Sequence, residues 1–245
     1  MVLLTFVDLD PELAALGSLG GFFVLRTGVP PHGPLPTLAQ VYGTGTSRAP
    51  ADACSDPLTL RVRKVARSLH APEIRVAASI AHQGLAARLW SVALGCATLY
   101  GQVPDLDPRL VHWDPDGSAP DDLWLSEVHA LPVESLDAVV REGHLVPLAS
   151  ALSSRHGVSV RLLWGNAGSA LAGSVRMLGH WARTSGRTDV AERAHALAAG
   201  LLARSGLSGT LDPATGRRRS CCLYYRLPGG GLCGDCCFDR PPGRG

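Results

Sequence analysis

Four cysteines near the end of the chain have a spacing suited to metal chemistry. Cys221 and Cys222 are adjacent, Cys233 follows after ten residues, and Cys236 follows after two more. Thiolates grouped on so short a stretch can hold an iron-sulfur cluster or a metal ion, provided that metal binding displaces the thiol protons. Five of the seven cysteines lie between residues 221 and 237, so this segment is the first candidate for a functional site.

Three kinds of site compete for these thiols. A structural zinc site favours two short Cys-x-x-Cys knuckles, and the vicinal pair Cys221-Cys222 breaks one of them. Neighbouring side chains of an extended strand point to opposite faces, so the vicinal pair needs a bent backbone, and two irons offer ligand positions in several directions. A reducing compartment argues against a disulfide, and a group of spare thiols crowded at an exposed tail would be prone to oxidation. The spacing therefore favours an iron-sulfur cluster over zinc and over a disulfide.

Turn-forming residues occupy the gaps between the cysteines. Pro228 and the glycines at 229–231 separate the two pairs, and Gly234-Asp235 lies inside the Cys233–Cys236 gap. Such residues allow the chain to double back and a tight turn to form. We therefore expect the loop to bring the second pair of cysteines against the first.

The pattern Cys-Cys-x10-Cys-x2-Cys resembles that of the FhuF-like ferric-siderophore reductases. Weaker similarities lie at residues 88–91, followed by Leu94-Gly95, and at residues 163–166, which open an apolar helix of small residues. The resemblance implies a 2Fe-2S cluster as cofactor, bound by Cys221, Cys222, Cys233 and Cys236. It also implies one-electron reduction of the ferric iron in a siderophore, with release of ferrous iron in the cytoplasm.

A fifth thiol lies beside the set, because Cys237 directly follows Cys236. On spacing alone, a ligand set with Cys237 in place of Cys236 stays open, whereas the family pattern favours Cys236. In that case Cys237 would pack beside the cluster or serve as a spare ligand.

Four arginines flank the vicinal cysteines: Arg217, Arg218, Arg219 and Arg226. A cluster with two ferric ions, two sulfides and four thiolates carries two negative charges, and reduction adds a third. The arginines would offset this charge and raise the reduction potential, or would attract an anionic chelate or an acidic donor. The alternative is that the arginine run is only a solvated surface.

Other candidate site residues lie on the helices. We expect Arg88 and Asn166 to line a substrate cleft; the alternative is that Asn166 caps or braces the helix that follows it. The histidines show no metal-ligand spacing, so His82, His129 and His180 are interpreted as core or surface residues. The brief Gly43-Thr44-Gly45 motif is not a dinucleotide fingerprint, so electrons must come from an external donor such as a ferredoxin or a flavin reductase.

Composition and charge limit the possible partners and location. The net charge of +2 gives no electrostatic reason to expect nucleic acid as partner. Residues 1–7 are apolar but lack a basic region before them, so no secretory leader is predicted. The most apolar internal run, residues 162–180, is too short and too charged at its ends to span a membrane. We expect a cytoplasmic protein without stable membrane insertion.

The hydrophobic pattern predicts an α+β fold with a predominantly helical substrate domain and a short sheet. Helices are expected over residues 71–100, 134–156, 162–184 and 189–204, and a strand over residues 123–133. We expect a siderophore-binding and reductase domain at residues 1–206 and a small C-terminal iron-sulfur module at 207–245. The alternative function is a non-catalytic metal-binding sensor, with iron-sulfur or zinc, or a siderophore-binding module.

Overall fold

A helix of 27 residues that is apolar on nearly every side organises the fold. This helix, α4, spans Ile74–Tyr100 and ends where Gly101 adopts a left-handed φ of 71°. A helix without a polar face must be surrounded by other elements. Accordingly, α4 packs most extensively against α6 (Val160–Thr184) and also contacts α3 (Pro57–Ser68) and α7 (Thr188–Leu202).

The computed structural model describes residues 9–30, 33–44 and 56–242. The remaining helices are α1 (Leu9–Leu16), α2 (Leu38–Tyr42) and α5 (Val146–His156), which is preceded by a π-helix at Ala138–Leu145. The isolated Cys54 lies outside the described residues, as do residues 1–7 and Gly45 of the glycine motif.

The described residues form five short strands in two small sheets. The first sheet has the order β1-β4-β3, in which β1 (Arg26–Thr27) runs parallel to β4 (Leu123–Leu125) and β3 (Val111–Trp113) runs antiparallel to it. The second pairs β2 (Gln102–Pro104) with β5 (Ala130–Pro132), with Val103 opposite Leu131. The predicted α+β class, mainly helical with a short sheet, is confirmed.

The predicted long helices are found, with two departures in the connecting segments. The helix predicted over residues 134–156 begins as a 3₁₀ turn and a π-helix before α5, and it ends at Gly157 as expected. The single strand predicted over residues 123–133 was wrong, because the chain bends after Leu125 and its two halves join different sheets.

No helix among the described ranges is long and apolar enough to cross a membrane. The apolar run of α6 instead faces the protein core, where Leu163 and Leu171 are fully buried.

A buried histidine fastens the π-helix to two other elements. The Nε2 of His144 lies beside the backbone carbonyl of Leu106, so this nitrogen carries the proton, and Nδ1 accepts a hydrogen bond of 2.9 Å from the Tyr42 hydroxyl. The neutral ring thus satisfies the carbonyl of Leu106 and the Tyr42 hydroxyl at once, and a proton on Nδ1 would remove the acceptor for that hydroxyl. Burial lowers the pKa of His144 to about 4.

We predict that His144 makes the protein less stable as the pH falls from about 6.5 to about 4. The unfolded state takes up the proton first, because the folded-state pKa lies below the unfolded value. Stability present above pH 6.5 is thus lost on acidification, by about 3 kcal/mol for this one residue. Denaturant unfolding of the cluster-free protein at several pH values would measure the effect.

His144→Gln should flatten this pH dependence, whereas Tyr42→Phe should lower stability at every pH and leave the dependence in place. Equal pH dependence in the wild type and in His144→Gln would show that the ring does not control acid stability.

Candidate functional site

The cysteine segment approaches α6 closely because that helix presents small residues. A Cβ atom on Gly165 would collide with the side chain of Ser220, and one on Gly168 would collide with that of Thr210. Glycine in a helix interior costs about 1 kcal/mol relative to alanine. At these two positions it allows residues 210–220 to lie directly on the helix, which places the adjacent cysteines against the core.

A buried hydrogen-bond network ties the same segment to α4 and α6. The Asn166 amide nitrogen donates to both the carbonyl and the hydroxyl oxygen of Ser79, each at 2.9 Å. The Ser79 hydroxyl donates to the backbone carbonyl of Cys222 at 2.8 Å. The Asn166 carbonyl oxygen accepts from Nη2 of Arg218 at 2.8 Å. These four residues, the Asn166 network, fix the backbone on both sides of Cys221.

Sharp turns bend the backbone next to both pairs of cysteines. The backbone N–H of Cys236 donates to the carbonyl of Cys233 at 3.1 Å, which closes the predicted Gly234-Asp235 turn. Leu223 has a left-handed φ of 69°, uncommon for a branched residue. This bend directly after Cys222 is the kind of backbone that the vicinal pair requires.

Backbone N–H groups point at two of the sulfurs. The N–H of Leu223 donates to Sγ of Cys221 at 3.3 Å, and the N–H of Phe238 donates to Sγ of Cys236 at 3.5 Å. Such donors stabilise a thiolate and are among the features that set the potential of an iron-sulfur cluster. The loop is therefore suited to charged sulfur ligands.

The thiols lie in pairs. A hydrogen bond between Cys222 and Cys233 lowers the pKa of Cys222 and raises that of Cys233. Cys237 forms the corresponding contact with Cys236, and burial raises its pKa. Burial also raises the pKa of Cys221, to about 11. No three potential ligands in the described part of the chain converge as around one ion.

Residues 218–238 match the FhuF 2Fe-2S C-terminal domain family. This segment is thus similar to the 2Fe-2S domain of FhuF proteins. Its cofactor is a 2Fe-2S cluster, and the predicted resemblance to FhuF-like proteins is confirmed for this part of the chain. No curated protein matches the chain. The four cysteines of the predicted set and Cys237 all lie inside the FhuF-type segment.

The chemistry of the segment fits an anionic sulfur-bound group. Cys221, Cys222, Cys233 and Cys236 are free thiols. Beside them the Arg218 side chain is completely buried, and its Nε and Nη1 have no hydrogen-bond partner among the described residues. Buried polar nitrogens are rarely left without a partner. A dianionic cluster at the neighbouring thiols would provide acceptors for them.

The arginine run divides between interior and surface. Arg219 is exposed and forms an ion pair with Asp212. Arg217 is half-buried; it pairs with Asp239 and donates through Nε to the backbone carbonyl of Cys236 at 2.7 Å. Arg226 is half-exposed and pairs with Glu73 of the turn before α4. Of these four arginines, Arg218 alone has a completely buried side chain. Sequence alone shows four equivalent charges, and the fold makes them different.

The two predicted substrate residues are buried and bonded to protein atoms. Arg88 is 1% exposed; its guanidinium donates to the carbonyls of Gly21 and Pro120 and pairs with Asp122 at 3.2 Å. Asn166 is fully buried within its network. The fold brings Asn166 to the cysteine segment, where it braces the backbone, and it places Arg88 in a separate polar contact. A role of either side chain in binding substrate stays a prediction.

A pocket beside the thiols was not predicted. It has a volume of about 510 Å³ and lies between the cysteine loop and one face of α4. Cys222 and Cys233 line it together with Phe22, Ile80, Gln83, Gly84, Ala87, Tyr224, Leu232 and Gly234. The spacing of Ile80, Gly84 and Ala87 along one helix face was the available signal, but apolar spacing alone does not show that a face is left uncovered.

We predict that Gly165→Leu displaces the cysteine segment from α6. Overpacking of this kind costs about 1–3 kcal/mol, and the strain falls on the residues that carry the thiols. Iron and sulfide per chain after anaerobic reconstitution should fall well below the wild-type content. Gly200→Leu in α7 is the matched control, because a Cβ there meets nothing within 4 Å. Equal cluster content in the two variants would contradict the proposed role of the close approach.

Proposed function

We propose that the chain is a ferric-siderophore reductase that transfers one electron at a time to chelated ferric iron. The observation that carries this proposal is that two cysteines of the FhuF-type segment, Cys222 and Cys233, line a pocket open to solvent. A donor and a place for an acceptor are thus adjacent. We further propose that the protein acts in the cytoplasm as part of iron homeostasis.

Cys221, Cys222, Cys233 and Cys236 are the proposed cluster ligands. The contact between Cys222 and Cys233 and the backbone N–H groups directed at Sγ of Cys221 and of Cys236 support this set. Cys237 is close to Cys236 and Cys221. In this assignment it is a neighbour of the cluster and not a ligand.

The pocket beside the thiols is the proposed acceptor site. Three large apolar side chains at its edge are exposed, Phe22 by 47%, Tyr224 by 40% and Leu232 by 38%. Exposed apolar residues that gather around one opening are typical of a binding surface. Gly84 supports the same interpretation, because a Cβ there meets nothing within 4 Å and packing does not require glycine. Its absent side chain keeps the pocket open.

When bound, the 2Fe-2S cluster supplies one electron, which converts one ferric ion to one ferrous ion. The pocket residues hold the chelate against Cys222 and Cys233, and the buried Asn166 network keeps the cysteine backbone in place during the transfer. Siderophores bind iron through hard oxygen ligands suited to the ferric state, so reduction weakens their hold and favours release of the metal.

The electron must be replaced by a separate one-electron donor, such as a ferredoxin or a flavin reductase. Arg217 and Arg219 extend from the surface next to the cluster segment, and an acidic donor would find complementary charge there. We propose residues 1–206 as the siderophore-binding and reductase part and 207–245 as the cluster-binding segment. The close approaches of Gly165 to Ser220 and of Gly168 to Thr210 join the two parts.

The alternative is a non-catalytic iron-sulfur sensor or siderophore-binding module. It uses the same cysteines and the same pocket, so geometry does not separate it from the reductase. Electron transfer to a bound ferric chelate does.

We predict that serine in place of Cys221, Cys222, Cys233 or Cys236 removes most of the cluster. Serine oxygen is a poorer ligand for iron in such clusters than thiolate sulfur. Cys237→Ser should retain two irons and two sulfides and a signal in electron paramagnetic resonance that appears on reduction. Loss of the cluster in Cys237→Ser with retention in Cys236→Ser would reverse the ligand assignment.

We predict that the dithionite-reduced, desalted protein passes about one electron per 2Fe-2S cluster to a ferric siderophore, measured anaerobically with a ferrous-specific chelator. Gly84→Phe fills the pocket and should keep the cluster but slow this transfer about tenfold or more, as expected for about 1.4 kcal/mol of lost binding. Gly200→Phe on α7 is the control. A reduced wild-type cluster that never passes its electron on would favour the sensor or binding module. Wild-type rates in Gly84→Phe would place the acceptor elsewhere.

A further inference from the structure

A fully buried guanidinium lies next to the cysteine segment with much of its hydrogen-bonding capacity unused. Arg218 donates through Nη2 to Asn166, and its Nε is 3.9 Å from a carboxylate oxygen of Asp235, too far for a hydrogen bond. Nε and Nη1 have no partner among the described residues. A buried charge without full pairing is strongly unfavourable, so this position calls for an anion that the protein groups alone do not supply.

The surrounding groups show where that anion would lie. Arg218 precedes the vicinal cysteines by three residues, and its backbone N–H donates to the carbonyl of Asp235 at 2.9 Å, inside the Cys233–Cys236 turn. Its positive charge adds to the hydrogen bond from Cys233 that lowers the pKa of Cys222, and it offsets part of the rise in the pKa of Cys233 and of Cys237. The guanidinium is therefore close to both pairs of thiols.

We propose that Arg218 is an interior counter-ion of the cluster and holds its reduction potential up, with Asn166 as the positioning residue that orients the guanidinium. The inference rests on the proposed cysteine ligands but not on a siderophore as the acceptor. The unused Nε–H and Nη1–H groups donate to the anionic sulfur-bound group, which satisfies the buried charge. Asp235, 9% exposed and with Oδ2 unpartnered, opposes this effect with a negative charge.

The sign of the effect follows from charge. The site carries two negative charges in the oxidised state and three after it accepts one electron from the donor. A fixed positive charge nearby stabilises the more negative state more strongly. Removal of Arg218 should thus make reduction harder, and removal of the Asp235 charge should make it easier. A purely structural ion pair between the two residues would not produce opposite signs.

The test is a redox titration of anaerobically purified holoprotein, followed by electron paramagnetic resonance. Arg218→Gln should reduce the equilibrium constant for cluster reduction at least tenfold, a fall of about 59 mV for one electron. Asp235→Asn should shift the midpoint upward. Arg218→Lys keeps the positive charge but lacks the planar guanidinium with its several N–H donors. Its midpoint potential should lie between those of the wild type and of Arg218→Gln. The matched control is Arg219→Gln, an exposed neighbour whose charge is screened by solvent; its midpoint should stay at the wild-type value.

A second readout separates a counter-ion from a packing residue. Arg218→Gln should lower the melting temperature of the holoprotein but not that of the cluster-free protein. Without the cluster, the buried charge of Arg218 is uncompensated and destabilises the folded state, so its removal costs nothing there. Should this variant fail to fold, Arg218→Lys and Asp235→Asn carry the test.

Wild-type midpoints in Arg218→Gln, or shifts of the same sign in Arg218→Gln and Asp235→Asn, would overturn the counter-ion role while leaving the reductase proposal intact. Absence of any reducible cluster from the wild type would overturn both proposals. Normal cluster potentials without transfer to a ferric chelate would overturn only the proposed function.

Discussion

The site depends on the close contact between a short cysteine-bearing segment and two long helices. A segment as short as residues 207–242, with little regular structure, cannot bury enough apolar surface to fold by itself. It gains its structure from Gly165 and Gly168, which let it lie on α6, and from Asn166 and Ser79, which satisfy its backbone and fasten it to α4. The helical layer is therefore the rigid support on which the thiols are arranged.

The parts of this arrangement that follow from local chemistry could be predicted. The apolar spacing and the glycine at position 101 indicated α4, and the Gly234-Asp235 pair indicated the turn between Cys233 and Cys236. The chemistry of four closely spaced thiols indicated an iron-sulfur cluster, as the FhuF-type segment bears out. In each of these cases the determining residues are neighbours in the chain, so spacing carries the information.

The parts that depend on distant residues could not be predicted in the same way. The Asn166 network joins positions that are 87 and 143 residues apart, and one sequence shows no signal for such partners. The pocket beside the thiols arises because Phe22 and a face of α4 meet the cysteine loop. The three consecutive arginines at 217–219 carry the same charge, yet burial distinguishes one of them, and burial is a property of the whole fold.

The long reach of these contacts also imposes an order of events. α4 and α6 precede the cysteine segment in the chain, and during synthesis the earlier parts of a protein emerge and fold first. Contacts that close over such long separations form late. The helices can thus assemble before the last cysteine leaves the ribosome. The cysteine segment would then dock on Ser79 and Asn166, which are already in place. Iron and sulfide would then be delivered to an almost completely folded protein. Cluster insertion would be the last step of maturation, and a bound cluster would indicate that the helical core has already folded.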